Sequence, residues 1–246
     1  MPEFSIMTSK IYWLMLDEAS IPGDTNWLSP GELERYQSFR FDKRKLDWLS
    51  GRWVAKNLIF ELIKEQNTFE LKEISIGNHS AGDPFVILRE EILNGSLSIS
   101  HRGGKSAAAF TSIPNISIGI DLELIEEKSE GFIEDYFNEG ETKEVMSFAK
   151  IGKKDCLASL LWSAKEALLK AHQIGLRIDT REMELQIPSE DSCMDWCPIE
   201  ILRCPAEMQP MTLYWRQMDY FLITMAIKHL SQGEKFSSGL IEQVFL

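Results

Sequence analysis

The sequence predicts an α+β fold, and three observations carry that prediction. Two long stretches, Lys43–Lys64 and Cys156–His172, place apolar residues at helical spacing. Short runs alternate instead, the clearest being Ile116-Ser117-Ile118-Gly119-Ile120-Asp121-Leu122-Glu123. After Gly175 the chain reads almost wholly as strands.

The bulk numbers are those of an ordinary globular protein: 246 residues, 44% hydrophobic and 26% charged. A net charge of -12 argues against general nucleic-acid binding, which needs a broad basic field, but leaves room for one local basic pocket. No run of about 18 apolar residues is present, so no membrane span is expected. Met1–Lys10 lacks a basic region followed by an apolar core, so no secretion signal is expected and a cytoplasmic location follows by default. The four cysteines are Cys156, Cys193, Cys197 and Cys204. Their spacing is not that of paired zinc ligands and no histidine stands near the last three, so reduced structural thiols are expected rather than zinc or a Cys193–Cys197 disulfide.

Lys10–Leu16 reads as a buried strand. Ser29-Pro30 opens a short helix, with Ser29 as N-cap and Pro30 in the first turn. From Arg40 to Lys56 stand six basic residues and two acids, so this window is +4 and the remainder is -16. The Lys43–Lys64 helix that contains it has Leu46, Leu49, Trp53, Leu58 and Leu62 as its apolar stripe, and Arg44, Trp48, Arg52 and Lys56 on another face. That face reads either as solvated charge or as a site for a multiply charged anion. Gly51 in mid-helix costs about 1 kcal/mol against alanine, which points to close packing there.

Strands are expected at Leu71–Ile76, Pro84–Leu88 and Ser96–His101. The Gly103-Gly104 turn returns Lys105–Phe110 and crowds His101, Arg102 and Lys105 at one hairpin end. In the Ile116–Glu123 strand, Asp121 and Glu123 share a face with Gly119. Two carboxylates so placed are either a solvated edge or a seat for a hard cation. Short helices are expected at Gly131–Phe137 and Glu139–Lys150. The helix Cys156–His172 is expected to be capped by Asp155 and to stop at Gly175. Its core stripe is Leu157, Leu160, Leu161, Ala164, Leu168 and Ala171. Trp162, Glu166 and Lys170 stand on the far side, which reads as a cleft wall covered by another part of the protein.

Three ordered pieces then form a pattern: Ser98-Ile99-Ser100-His101-Arg102-Gly103-Gly104, Ile118-Gly119-Ile120-Asp121-Leu122-Glu123, and Trp162-Ser163-Ala164-Lys165-Glu166-Ala167-Leu168-Leu169-Lys170. In combination they resemble the surfactin-type 4′-phosphopantetheinyl transferases, over most of the chain from the Arg40–Lys56 helix to the last hairpin. The resemblance implies a pseudo-dimer of two similar α/β subdomains in one chain, each a small, largely antiparallel sheet packed on a long helix. Residues 1–114 would grip coenzyme A phosphates, and residues 115–246 would carry magnesium and the catalytic residues.

It implies transfer of 4′-phosphopantetheine from coenzyme A to a serine of an apo acyl or peptidyl carrier protein, releasing 3′,5′-ADP. Asp121, Glu123 and Glu166 would be the Mg²⁺ ligands. Glu166 would also be the general base, directly or through a metal-bound water, and Lys170 would steady the pyrophosphate. Ser100, His101, Arg44 and Arg52 would hold the phosphates of coenzyme A. A monomer is expected, with no nucleic acid or membrane partner. Lys150, Lys153 and Lys154 read either as a docking patch for an acidic carrier or as a solvated loop. One departure is plain: Gly82-Asp83-Pro84 stands where many members have a basic residue between Gly and Pro, and Arg102 or Lys105 is the candidate compensation. Rival readings are a Mg²⁺-dependent nucleotide or coenzyme A hydrolase, and a non-catalytic module that binds coenzyme A or a carrier protein.

Overall fold

The structure is a computed structural model, and it describes residues 9–65, 69–173, 178–186, 188, 193–208, 210–229 and 237–246. In chain order its elements are β1 (Ile11–Asp17), α1 (Pro30–Ser38), α2 (Asp42–Ile63), β2 (Ile74–Asn78), β3 (Pro84–Leu88), β4 (Glu91–Leu93), β5 (Ser96–Arg102), β6 (Lys105–Thr111), β7 (Ile116–Leu124), α3 (Glu130–Tyr136), α4 (Glu139–Ser147), α5 (Lys154–His172), β8 (Glu184–Leu185), β9 (Cys197–Ile199), β10 (Ile201–Arg203), β11 (Met211–Met218), β12 (Phe221–His229) and β13 (Ile241–Gln243). The chain divides into two compact units, Met1–Ile116 with Gly239–Leu246, and Ser117–Ser238. No helix among the described residues is long and apolar enough to cross a membrane.

In the first unit the strands run β13-β1-β6-β5, with β13 parallel to β1 and the other pairs antiparallel. A second antiparallel sheet has the order β2-β3-β4. Helix α2 buries Val54, Ala55, Leu58, Ile59 and Ile63 against Leu14, Ile74, Val86, Leu97 and Phe110. The expected stripe is thus turned: Leu46 is exposed, and Val54 and Ile59 take the centre. Gly51 lies against β5, where a Cβ would stand 3.3 Å from the Ile99 methyl. The last strand lies within the 115–246 span that the sequence reading gave to the second subdomain, yet it belongs to the first unit. It adds to the free side of β1, Ile11 beside Ile241, and so completes the first unit's sheet.

In the second unit the order is β7-β12-β11-β9, with a separate pair β8-β10. Helix α5 lays Leu157, Leu161, Ala164 and Leu168 against Leu213, Trp215, Leu222 and Ala226. Gly119 on β7 lets the helix come this close: a Cβ there would lie 2.0 Å from the Ala167 carbonyl oxygen and 2.5 Å from the Ala171 nitrogen. Details at the ends of α5 differ from expectation. Lys153, not Asp155, stands at the N-cap, and the helix closes on Gln173 in the left-handed conformation, φ 63°. Gly175 lies outside the described residues. Cys193 and Cys197 are joined by a disulfide with Cα atoms 6.1 Å apart, a correction to the expected free thiols. Pairing of β9 to β11, and donation by Gln217 N to the Cys193 carbonyl at 2.7 Å, bring the two cysteines within bridging distance.

The two units repeat one device that the sequence reading did not see. Ser29 and Glu32 form a capping box at the start of α1, and Asn138 and Glu141 form one at the start of α4. Glu32 Oε2 accepts from Lys56 Nζ at 2.6 Å, and its Oε1 accepts from Ile76 N on β2 at 3.0 Å. Glu141 Oε2 accepts from Lys165 Nζ at 2.6 Å, and its Oε1 accepts from Leu185 N on β8 at 3.0 Å. Lys56 also donates to the Trp27 carbonyl and Lys165 to that of Tyr136. Sequence separations of 24, 44 and 29 recur in both sets. Each member therefore stands 109 residues after its counterpart (32 to 141, 56 to 165). The chain is built of two similar α+β units.

Candidate functional site

Each unit presents a group of charged side chains that the sequence reading had marked. In the first, the start of α1, the N-terminal half of α2, strand β2 and the end of β5 line a cleft of about 940 Å³. Arg35, Arg44 and Arg52 stand along its helical side and Asn78 and His101 along its strand side. Aromatic rings support the guanidiniums: Arg35 and Arg44 lie 5.2 and 5.8 Å from the Phe39 ring centre, and Arg52 lies 4.8 Å from that of Trp48. Arg52 donates from Nη2 to Asn78 Oδ1 at 2.8 Å, while its buried Nε has no hydrogen-bond partner among the described residues. Burial pulls the Arg52 pKa down and the Glu32 carboxylate opposes it. A half-buried guanidinium with an unused, buried donor is suited to an anion.

Of the residues expected here, the structure brings together Arg44, Arg52 and His101. Strand alternation sends His101 to the cleft side with Ile99, and Ser100 to the opposite, buried side. Lys56 leaves the basic face altogether: it is fully buried on Glu32. His101 Nε2 is 3.8 Å from Asp47 Oδ2, an acid on the cleft that the sequence reading had not placed there. Gly82 and Pro84 line the cleft, whereas the Asp83 carboxylate lies 3.8 Å from His79 Nε2. Lys105 donates to Asp17 at 2.7 Å, so one of the two candidate compensating cations is engaged elsewhere.

In the second unit Ser117, Gly119, Asp121 and Glu123 share the face of β7 that meets α5, as the Gly119 contacts require. Asp121 and Glu123 are both buried. Lys170 Nζ on α5 donates to Asp121 Oδ1 at 2.8 Å and to the Ile120 carbonyl at 3.2 Å. Glu166 is one turn earlier on the same helix. Its pKa is raised, first by burial; Lys170 acts against the rise, and the charges of Asp121 and Glu123 add to it. The three carboxylates therefore feel one another. Lys128, which the sequence reading had not singled out, donates to Glu123 Oε2 and Glu126 Oε1, each at 3.1 Å, and lies over the Phe132 ring.

Trp162 is covered by another part of the protein, as expected, and that part is α3 of the same unit. Its ring centre is 5.1 Å from that of Phe132 and 4.6 Å from that of Tyr136, both on α3. Lys150, Lys153 and Lys154 lie at the entry to α5, half-buried to exposed.

Three carboxylates that raise the proton affinity of one among them suit a hard divalent cation, whose charge would relieve their repulsion. As arranged, lysine ammoniums hold two of the three. Among the described residues no three such groups already stand at metal-binding spacing. The donor chemistry fits, and Lys128 and Lys170 are the groups a cation would compete with.

The family comparison falls on this half of the chain. Residues 117–197 match the 4′-phosphopantetheinyl transferase superfamily. That stretch is less than half of the chain, and it contains Asp121, Glu123, Glu166 and Lys170 but none of the cleft residues of the first unit. No curated protein matches in sequence. Among solved structures, the holo-ACP-synthase from Plasmodium yoelii is 19% identical, over 45% of this chain and 91% of that one, with a TM-score of 0.36. The holo-[acyl-carrier-protein] synthase of Thermotoga maritima is 16% identical, over 48% of this chain and 66% of that one, with a TM-score of 0.37.

Proposed function

We propose that the protein is a surfactin-type 4′-phosphopantetheinyl transferase, moving phosphopantetheine from coenzyme A to a serine of an apo acyl or peptidyl carrier protein. The observation that carries this reading is the carboxylate set Asp121, Glu123 and Glu166, with Lys170 on Asp121, inside the stretch that matches the superfamily. The cleft of the first unit supports it, because Arg44, Arg52 and His101 offer a built anion seat for the 3′-phosphate end of coenzyme A. Ser100 keeps no cleft-facing role in this proposal, since its side chain lies on the other strand face.

In the proposed reaction the carrier serine oxygen attacks the β-phosphorus of coenzyme A. The new ester bond forms as the phosphoanhydride bond breaks, and 3′,5′-ADP leaves with the electron pair. The serine proton goes to Glu166, directly or through a water; burial, the first cause of its raised proton affinity, favours its accepting a proton. Lys170 balances charge on the departing pyrophosphate oxygens. Mg²⁺ held by Asp121, Glu123 and Glu166 would supply charge neutralisation at the pyrophosphate. A cytoplasmic monomer is part of the same proposal, and in that compartment the Cys193–Cys197 pair would stand reduced. Incubation with coenzyme A, Mg²⁺ and an apo carrier protein, followed by intact mass measurement of the carrier, tests it. A gain of one phosphopantetheine is expected; hydrolysed coenzyme A with an unmodified carrier would replace the transferase with a hydrolase, and no change at all would leave a binding module.

A further inference from the structure

Among the described residues two lysines are fully buried, Lys56 and Lys165, and the proposed reaction uses neither. Each is paired with a glutamate that closes a capping box and also accepts a backbone N–H from a neighbouring strand. An apolar pair of similar volume commonly gives equal or greater stability, so stability alone does not account for finding the arrangement twice. Its other consequence is geometric, because hydrogen bonds of fixed length tie three elements at one point.

In the first unit those elements are the start of α1, helix α2 and strand β2, the elements that carry Arg35, Arg52 and Asn78 of the cleft. Glu32 itself lines that cleft. In the second unit they are the start of α4, helix α5 and strand β8, with the Thr180 carbonyl as a further anchor at 2.9 Å. Lys165 directly precedes Glu166, and neighbours on a helix point about 100° apart. Fixing Lys165 therefore fixes the rotation of α5 about its axis, and with it where Glu166 and Lys170 point. The Gly119 contact leaves the helix little room to adjust by sliding.

We propose that Glu32–Lys56 and Glu141–Lys165 are positioning pairs, the first setting the guanidiniums of the anion cleft and the second setting the rotation of α5 that aims Glu166 and Lys170 at Asp121. The kinetic part of this inference rests on the proposed transferase reading; the structural part does not. The test uses two double variants that remove both charges at once, Glu32→Gln/Lys56→Met and Glu141→Gln/Lys165→Met, in the full chain. Coenzyme A affinity is read by titration, turnover at saturating coenzyme A by carrier mass, and amide hydrogen exchange along α2 and α5 by mass spectrometry.

The first variant is expected to weaken coenzyme A binding by about tenfold, with saturated turnover within roughly twofold of the parent. The second is expected to lower saturated turnover on the order of a hundredfold, the scale of a small misplacement of catalytic groups, with coenzyme A affinity within roughly twofold. Faster exchange should be confined to α2 in the first and to α5 in the second. Equal effects of both variants on both quantities, or folded variants with parental kinetics and exchange, would overturn the proposal. If a double variant does not fold, Glu32→Gln or Glu141→Gln alone, which loses only the charge, must show the same split at smaller size. A parent that transfers nothing would sink the proposed reaction, and the location of the exchange change would still decide the positioning claim.

Discussion

The two units place different chemistry on the same frame. Counting 109 residues back from Asp121, Glu123, Glu166 and Lys170 gives Tyr12, Leu14, Asn57 and Glu61. Tyr12 and Leu14 pack with α2, as Asp121 and Glu123 face α5, so the faces correspond and only the residues have changed. Counting forward from Arg44, Trp48 and Arg52 gives Lys153, Leu157 and Leu161, two of which are core leucines. The shared parts are the capping boxes and the buried lysines. What this teaches is that the frame fixes where the long helix lies, and residues along that helix decide whether a unit offers an anion seat or a carboxylate face.

The sharpest way to break the comparison is to remove the carboxylate that only one unit has. Glu166→Gln should lower carrier modification by roughly 10²–10⁴-fold in a time course followed by intact mass. Asn57→Gln, at the matching place in the first unit, should change it little, and a comparable loss there would deny the division of chemistry.

Glycine separates the units next. Gly119→Ala forces a methyl into the Ala167 backbone, and urea unfolding should show a loss of about 1–3 kcal/mol or more. Gly51→Ala meets only the end of the Ile99 side chain at 3.3 Å and gains helix propensity of about 1 kcal/mol, so its midpoint should hold or rise.

Glu166 also predicts a pH effect with a definite sign. Its folded-state pKa lies above the ordinary 4.5, so its ionisation opposes folding at every pH above that range. The melting temperature of Glu166→Gln should exceed that of the parent at pH 7–8, and the advantage should vanish as pH falls below 4.5 and both states of the parent become protonated. The opposite trend would mean that Glu166 is stabilised as an anion. The smallest effects are expected at the caps, where Ser29→Ala and Asn138→Ala should each cost about 1 kcal/mol in urea unfolding.

The sequence made the helices and alternating strands legible because their periodicity is local. Ser29-Pro30 announced α1, and the Ile116–Glu123 alternation announced β7 with both carboxylates on one face. What escaped were features made by tertiary contact. Gly119 reads from sequence as room for a ligand or an opposing domain, yet the room belongs to α5. Lys56 reads as one of four residues on a basic face until Glu32, 24 residues away, takes it inside. The signal for that pair was available: Ser29-x-x-Glu32 and Asn138-x-x-Glu141 are both capping-box patterns, and their common offset is the internal repeat. Lys128 had no such signal, since its approach to Glu123 depends on how the chain turns after β7. The parallel docking of β13 onto β1 joins the two ends of the chain, and no local pattern encodes it.

The central claim is that the first unit binds the phosphates and the second performs the transfer. Titration of coenzyme A without added metal into Arg52→Gln and Glu166→Gln tests it most directly. The account predicts that Arg52→Gln weakens binding about tenfold or more while Glu166→Gln binds within about twofold of the parent. Parental affinity in Arg52→Gln, with affinity lost in Glu166→Gln, would contradict it.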